Sequence, residues 1–360
     1  MDLASGWVQK IGSFAGFILG LRAVIQAGTI EAVIGSERAD RLLGDTAANR
    51  FEGSGGHDML EGRGGADTLI GGEGADTLGG GTGADLLLGG AGNDRYLVDD
   101  PRDRVQDSDG EGLVVAVVAW RLGSDIDRLY LAGTAGVTSI GNAADNVMAG
   151  NPGANRLLGA DGDDSMDGGD GADTLLGGNG ADTLSGGFGD DRLVGGSGDD
   201  SLVGLFGSDT LQAGAGADSL SGRSANGLLI GGEGDDLLIG GSGTDVLRGG
   251  GGADGFDLSV AASFGHHRII DFASTEGDRI LLHQAAPGPN GVPLPLGLLE
   301  PPAFVANLTG QATGFEAQLA YETDAGRLWW DADGAGGAPR DLLAVLVGAP
   351  VLSVTDFLIV

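Results

Sequence analysis

Residues 168–212 read GGDGADTLL, GGNGADTLS, GGFGDDRLV, GGSGDDSLV and GLFGSDTLQ. One nine-residue pattern runs through them: Gly-Gly-x-Gly-x-Asp, then any residue, a large apolar residue, and any residue. Asp holds position 6, at 173, 182, 191, 200 and 209, and leucine holds position 8, at 175, 184, 193, 202 and 211. An amphipathic helix needs three or four apolar residues over two turns, so one in nine excludes a helix. Glycine accepts positive φ without steric cost, which permits a tight loop over positions 1–6. A loop of this kind turns carbonyls inward and sets a carboxylate beside them. Its ligands are all hard oxygens, a set that suits calcium. The residues after Asp make a short strand whose central side chain points inward. Stacked units then bury a thin column of leucine between two columns of loops.

This nonapeptide is similar to the repeat of the RTX family, the hemolysin-type calcium-binding proteins. The resemblance implies an all-β fold, a parallel β-roll or β-helix-like solenoid. It also implies that two nonapeptides make one coil, with each calcium between loops eighteen residues apart.

Glycine accounts for 74 of 360 residues, about three times its usual share. Lys and Arg number 19 against 52 Asp and Glu, a net charge of −33. That balance argues against nucleic acid and anionic membranes as partners and makes a metal cation the natural counter-charge. The chain has no cysteine, so no disulfide staples the fold.

Residues 1–34 fall outside the repeat and read as an N-terminal cap or spacer-like segment. Trp7, Ile11, Phe14, Ile18 and Ile25 would share one face of a helix. A signal peptide fits poorly, because Asp2 precedes a lone Lys10. The apolar run Ile11–Leu21 is too short to span a bilayer.

Residues 35–97 form a block of seven nonapeptides. The first two are degenerate, with Asp40 and Asn49 at position 6, and the next five carry Asp58, Asp67, Asp76, Asp85 and Asp94. Residues 98–140 break the pattern and read as a β-rich spacer, with strand-like Leu113–Trp120. Asp99, Asp100, Asp103, Asp107 and Asp109 near its start read as a solvated acidic loop.

Residues 141–257 form a second block, of thirteen nonapeptides. Asn146 and Asn155 open it, sites that should be weak or empty because an amide brings no charge. Asp164, Asp173, Asp182, Asp191, Asp200, Asp209 and Asp218 follow; Gly227 interrupts; Asp236, Asp245 and Asp254 resume. These ten and the five of the first block are the candidate metal ligands. Eighteen-residue pairing, taken from the family, joins 58 with 76, 67 with 85 and 76 with 94 in the first block. In the second it joins 164 with 182, 173 with 191, 182 with 200, 191 with 209, 200 with 218, 218 with 236 and 236 with 254. Gly227 leaves Asp245 without a partner. About ten Ca2+ ions would reduce the charge of −33 by about 20.

Without calcium, carboxylates repel along the stack while only one apolar side chain per nine residues is buried. Backbone ordering costs about 1–2 kcal/mol per residue, so the calcium-free chain is expected to be disordered and metal binding to drive folding.

Residues 258–360 differ in composition and read as a C-terminal cap. His266–Phe272, Glu276–Ile280 and a hairpin over 321–334 resemble the module that closes RTX solenoids. Asp356-Phe357-Leu358-Ile359-Val360 resembles the uncleaved C-terminal signal for type I secretion, and a last strand of the cap fits it equally. The resemblance implies a secreted, extracellular or cell-surface protein whose partners are calcium and the type I secretion apparatus. Surface glycans or self-association are further partner classes.

No HExxH, no GxSxG and no thiol occur, so no catalytic motif is present. His57 falls in a free loop position. His266 and His267 fall in the cap, and Asp331 with Asp333 could be an ordinary turn or one more calcium site. Two other readings stand beside the secreted calcium-binding protein. One is the C-terminal secretion and folding module of a larger protease or lipase, and the other is a surface-layer or adhesive protein.

Overall fold

The computed structural model describes residues 16–17, 24–26, 32–108, 112–258, 266–282, 297–298, 304–307, 318–331 and 341–359. The chain divides into two compact units, Met1–Ala160 and Asp161–Val360. Each is a parallel β-solenoid.

In the first unit, strands Ala32–Ile34, Arg50–Gly55, Thr68–Glu73, Leu86–Ala91 and Arg104–Gln106 pair in parallel, each eighteen residues from the last. A second sheet stacks Arg41–Leu43, Met59–Gly64, Thr77–Thr82, Arg95–Val98 and Leu113–Ala116 at the same interval. Arg128–Leu131 and Val147–Ala149 continue it. The second unit repeats the arrangement, with Ser165–Asp170, Thr183–Phe188, Ser201–Phe206, Ser219–Arg223, Leu237–Ile239 and Gly255–Asp257 in one sheet. Thr174–Asn179, Arg192–Ser197, Thr210–Ala215, Leu228–Glu233 and Val246–Gly251 make its other sheet. One coil therefore takes eighteen residues, two nonapeptides.

The strands are longer than the repeat predicts. In the regular units each runs six residues, from position 7 through position 3 of the next repeat, as in Thr174–Asn179. Its two buried residues are the position 8 leucine and the first glycine of the following repeat. The absence of a side chain at that glycine lets the strand run on into the loop.

Phe51, Leu60, Leu69, Leu78, Leu87 and Tyr96 line the core of the first unit, and Leu175, Leu184, Leu193, Leu202, Leu211 and Leu220 that of the second; all are almost wholly buried. Ile25, expected on a helix face, lies in strand Val24–Gln26, which pairs with Arg41–Leu43. Trp7, Ile11, Phe14 and Ile18 lie outside the described residues. Among the described residues there is no α-helix and no helix long and apolar enough to cross a membrane.

After Gly255 the eighteen-residue interval ends. His267–Ile269 pairs with the strand starting at Val246, twenty-two residues earlier, and Arg279–Leu282 with Gly255–Asp257, twenty-four earlier. Asp341–Leu346 joins His267–Ile269 in parallel. Arg327–Asp331 and Gln318–Glu322 then add as an antiparallel hairpin. Phe357–Ile359 joins Ile280–Leu282, so these three residues before Val360 follow the strand reading, while Asp356 ends a short 3-10 turn. Phe357 and Tyr321 are fully buried there.

Candidate metal centre

Every position 6 aspartate of the two blocks is buried, with relative exposure of 3% or less from Asp58 onward. The side chains form rows that run along each solenoid. Within a row, the Oδ1 of one Asp accepts the backbone N–H of the Asp eighteen residues earlier. Asp76 accepts from Asp58 at 2.7 Å, Asp85 from Asp67 at 2.7 Å and Asp94 from Asp76 at 2.8 Å. In the second unit, links of 2.7–3.0 Å join 164 to 182, 173 to 191, 182 to 200, 191 to 209, 200 to 218, 218 to 236 and 236 to 254. All ten pairs expected from the eighteen-residue interval are therefore brought together.

The second oxygen behaves differently. In Asp58, Asp67, Asp76, Asp85 and Asp94 the Oδ2 is buried and finds no hydrogen-bond partner. The same holds for Asp182, Asp191, Asp200, Asp209, Asp218, Asp236 and Asp254. A buried anionic oxygen without a donor is costly unless a cation stands beside it.

The loop leaves room for no side chain at that oxygen. A Cβ on Gly186 would stand 2.5 Å from Asp191 Oδ2 and 2.9 Å from the Gly204 carbonyl oxygen. Gly168 gives the same pair of neighbours, Asp173 Oδ2 at 2.6 Å and the Gly186 carbonyl at 2.5 Å. Position 1 is glycine in every repeat except 213–221, where it is the small Ala213, because in most repeats the carboxylate and a carbonyl from the next coil meet there. Positions 2 and 4 are held at positive φ, as in Gly187 at 109° and Gly189 at 130°. Their Cβ would fall on the carbonyl oxygens of Gly169 and Gly171, one coil earlier. Successive loops thus stack carbonyl oxygens over glycines.

Burial raises the carboxyl pKa of Asp58, Asp67, Asp76, Asp85 and Asp94 and of Asp182, Asp191, Asp200, Asp209, Asp218, Asp236 and Asp254, in each case chiefly by desolvation. Asp200 and Asp236 are pushed up to about 7, and Asp58, Asp94, Asp182, Asp209 and Asp254 to about 6. The accepted backbone N–H opposes the rise, and neighbouring carboxylates in the row add to it. Metal-free, the row resists ionisation; a divalent cation would reverse that. Among the described residues no three His, Cys, Asp or Glu side chains converge on one point. An ion in the row would rest on one or two carboxylates and on backbone carbonyls, the oxygen set of a calcium site. The orphaned Oδ2 atoms and the glycine cradles fit such an ion.

The rows end in a distinct way. Asp40 Oδ2 accepts both the backbone N–H and the hydroxyl of Ser36, at 2.6 and 2.9 Å. Asn49 and Asn146 accept the N–H four residues before them. Asp278 Oδ2 accepts from Ala273 at 2.7 Å. At these ends a loop donor takes the place that stays empty of donors inside the row. Gly227 keeps its N–H bond to Asp245 Oδ1, at 2.6 Å, but offers no carboxylate.

Besides Asp125, whose Oδ2 accepts the Asp107 N–H at 3.0 Å, three carboxylate pairs escaped the repeat. Asp58 accepts from Asp40, Asp103 from Asp85, and Asp278 from Asp254. The first two keep the eighteen-residue interval, which was there to be read, but lack the glycines. The third spans twenty-four residues and carried no sequence signal. Asp103 and Asp107, expected in a solvated loop, are buried at 6% exposure, because residues 98–106 form one more coil half with Val105 at position 8. Asp99 is exposed as expected. Asp109, His283 and Asp333 lie outside the described residues, as does the side chain of Asp331. His57 is exposed, and its Nδ1 accepts the Ala75 N–H. His267 is fully buried against Asp245.

A family model of RTX calcium-binding nonapeptide repeats, four copies long, matches residues 34–69, 61–96, 140–175, 167–202, 176–211, 194–229 and 221–256. Together these matches cover half of the chain. The chain belongs to the RTX calcium-binding nonapeptide repeat family. No curated protein matches it. As an RTX protein it is a calcium-binding β-roll, and the matched residues, 34–96 and 140–256, coincide with its two repeat blocks to within one residue at each end.

Proposed function

We propose that this RTX protein is secreted and folds on meeting extracellular calcium, with a structural and export role rather than a catalytic one. The ions, about ten, lie along the rows made by Asp58, Asp67, Asp76, Asp85, Asp94, Asp164, Asp173, Asp182, Asp191, Asp200, Asp209, Asp218, Asp236, Asp245 and Asp254. The observation that carries this reading is the set of buried Oδ2 atoms with no donor, repeated at the interval of one coil. Without a counter-ion those carboxylates oppose the fold. Binding energy then becomes folding energy.

Calcium is scarce inside cells and about millimolar outside, the range in which extracellular calcium modules work. A chain that stays unfolded inside can thread an exporter and then fold on the far side. In this reading the type I secretion apparatus recognises the C-terminal residues, and 258–360 closes the solenoid once folded. Residues 35–97 and 141–257 are the calcium blocks, with 98–140 as spacer between them.

The test is a far-UV circular dichroism titration of the purified chain, from chelator to millimolar calcium. A cooperative coil-to-β transition with several ions bound is expected. A β spectrum already complete in chelator at neutral pH would refute calcium-driven folding.

A further inference from the structure

The spacer breaks one of the two sheets of the first unit. From Leu113 to its partner Arg128 the chain advances fifteen residues, three fewer than a coil. The sheet on that side stays paired. The deficit falls on the opposite side, over 117–122. There Arg121 makes a single bridge, to Ile140, and Leu122 donates to the Ile140 carbonyl at 2.9 Å. Among the described residues Arg104–Gln106 pairs only with Leu86–Leu88. The sheet is open between Arg104–Gln106 and 120–122.

A cavity of about 590 Å³ fills the opening. This is the size of a small-ligand site. Trp120 stands half-buried in its wall, its backbone N–H held by Ser139 Oγ at 3.2 Å. Arg104 and Arg121 flank it, both exposed. Among the described residues neither makes an ion pair, in a chain with only 19 cationic side chains and a charge of −33. Asp103 also lines the cavity, but its carboxylate is turned to backbone donors, Asp85 N–H at 3.0 Å and Asp100 N–H at 3.3 Å. The charge presented to a ligand is therefore that of two guanidinium groups.

We propose that this groove binds an anionic oligosaccharide bearing uronate or sulfate groups. Trp120 offers an aromatic face to a sugar ring, and the two guanidinium forks offer the paired donors that carboxylate and sulfate oxygens accept. An acidic peptide adding as a strand fits less well, because the open edge is only three residues long and the facing segment has one bridge. The acidity of the rest of the chain acts weakly at the groove, since exposed charges are screened within about 8 Å at physiological salt.

The test is calorimetric titration of the full-length, calcium-loaded protein. The probes are uronate-bearing and sulfated oligosaccharides of four to six units, neutral oligosaccharides of equal length, and hexaglutamate. At least one anionic sugar should bind at a single site, at least tenfold more tightly than the neutral ones. Arg104→Gln with Arg121→Gln should abolish that preference while leaving the dichroism spectrum and calcium binding unchanged. Binding should change tryptophan fluorescence, and Trp120→Phe should remove that signal. No preference for any anionic sugar would overturn the proposal, as would unaltered binding by the double variant. Tighter binding of hexaglutamate would overturn it in favour of a peptide site.

Discussion

His267 Nδ1 lies 2.9 Å from Asp245 Oδ2, with both side chains fully buried. The same nitrogen is 3.4 Å from the Asp245 N–H, so the carboxylate contact is the better one and Nδ1 carries the hydrogen. A Cβ on Gly240 would meet Asp245 Oδ2 at 2.7 Å and His267 Nδ1 at 3.0 Å. In most other repeats, as at Gly168, Gly186 and Gly231, a carbonyl of the next coil stands there instead. The ring therefore closes this row with a donor of its own. Of the fifteen aspartates, Asp245 has the least need of a metal. Asp245→Asn should lower the calcium stoichiometry less than any other position 6 substitution, as measured by equilibrium dialysis.

Asp200 sits mid-row, accepting from Asp182 and donating its N–H to Asp218. Asp200→Asn keeps the shape and removes the charge from two successive loops. The calcium midpoint of folding should rise severalfold, and stability in calcium should fall by about 2 kcal/mol or more. Calorimetry should show fewer ions bound. An unchanged midpoint and stoichiometry would remove Asp200 from the metal row.

The raised carboxyl pKa values set the pH response of the metal-free chain. A carboxyl that titrates at about 6 or 7 when folded and about 4 when unfolded favours the fold only while protonated. Its contribution is fully present in acid and is lost as pH rises from about 4 through about 7. In chelator, β structure should therefore appear near pH 4–5 and vanish toward pH 8. Saturating calcium should flatten or reverse that dependence. Circular dichroism against pH, with and without chelator, measures both.

Arg63 and Leu205 occupy position 2 with φ of 78° and 74°, where regular repeats hold glycine. A non-glycine residue pays about 1–2 kcal/mol for left-handed backbone. Arg63 is exposed, so Arg63→Gly should stabilise the calcium-loaded protein, by up to about 1 kcal/mol after the added freedom of the unfolded chain is counted. The reverse change, Gly189→Ala, sets a Cβ on the Gly171 carbonyl and should destabilise by about 2 kcal/mol or more. Thermal denaturation in excess calcium compares the two.

The repeat made the interior of the solenoid legible because each physical role was met in most repeats by one residue type. Position 1 glycine, position 6 aspartate and position 8 leucine each answer a separate steric or charge demand, and the ten Asp pairs follow once the family's eighteen-residue coil is laid on them. Legibility failed where a role was met by other means. Asp103 does the work of position 6 without the glycines, and its fellow acids hid it as part of an apparent loop. Asp278 and His267 reach their rows across twenty-four and twenty-two residues, through a cap with no period to count. Ile25 shows the opposite error, since spacing suggested a helix face where strand pairing prevails.

Each aspartate is tied to the loop eighteen residues away and not to the adjacent one, so the second unit carries two interleaved threads. One runs from Asp164 through Asp182, Asp200, Asp218, Asp236 and Asp254 to Asp278 without a gap. The other, through Asp173, Asp191 and Asp209, lacks a carboxylate at Gly227 before Asp245. The intact thread passes the fault on the opposite side of the same coils. The design is redundant in the engineering sense: losing one acidic residue cuts one row of carboxylates, while the neighbouring row runs unbroken past the same coils.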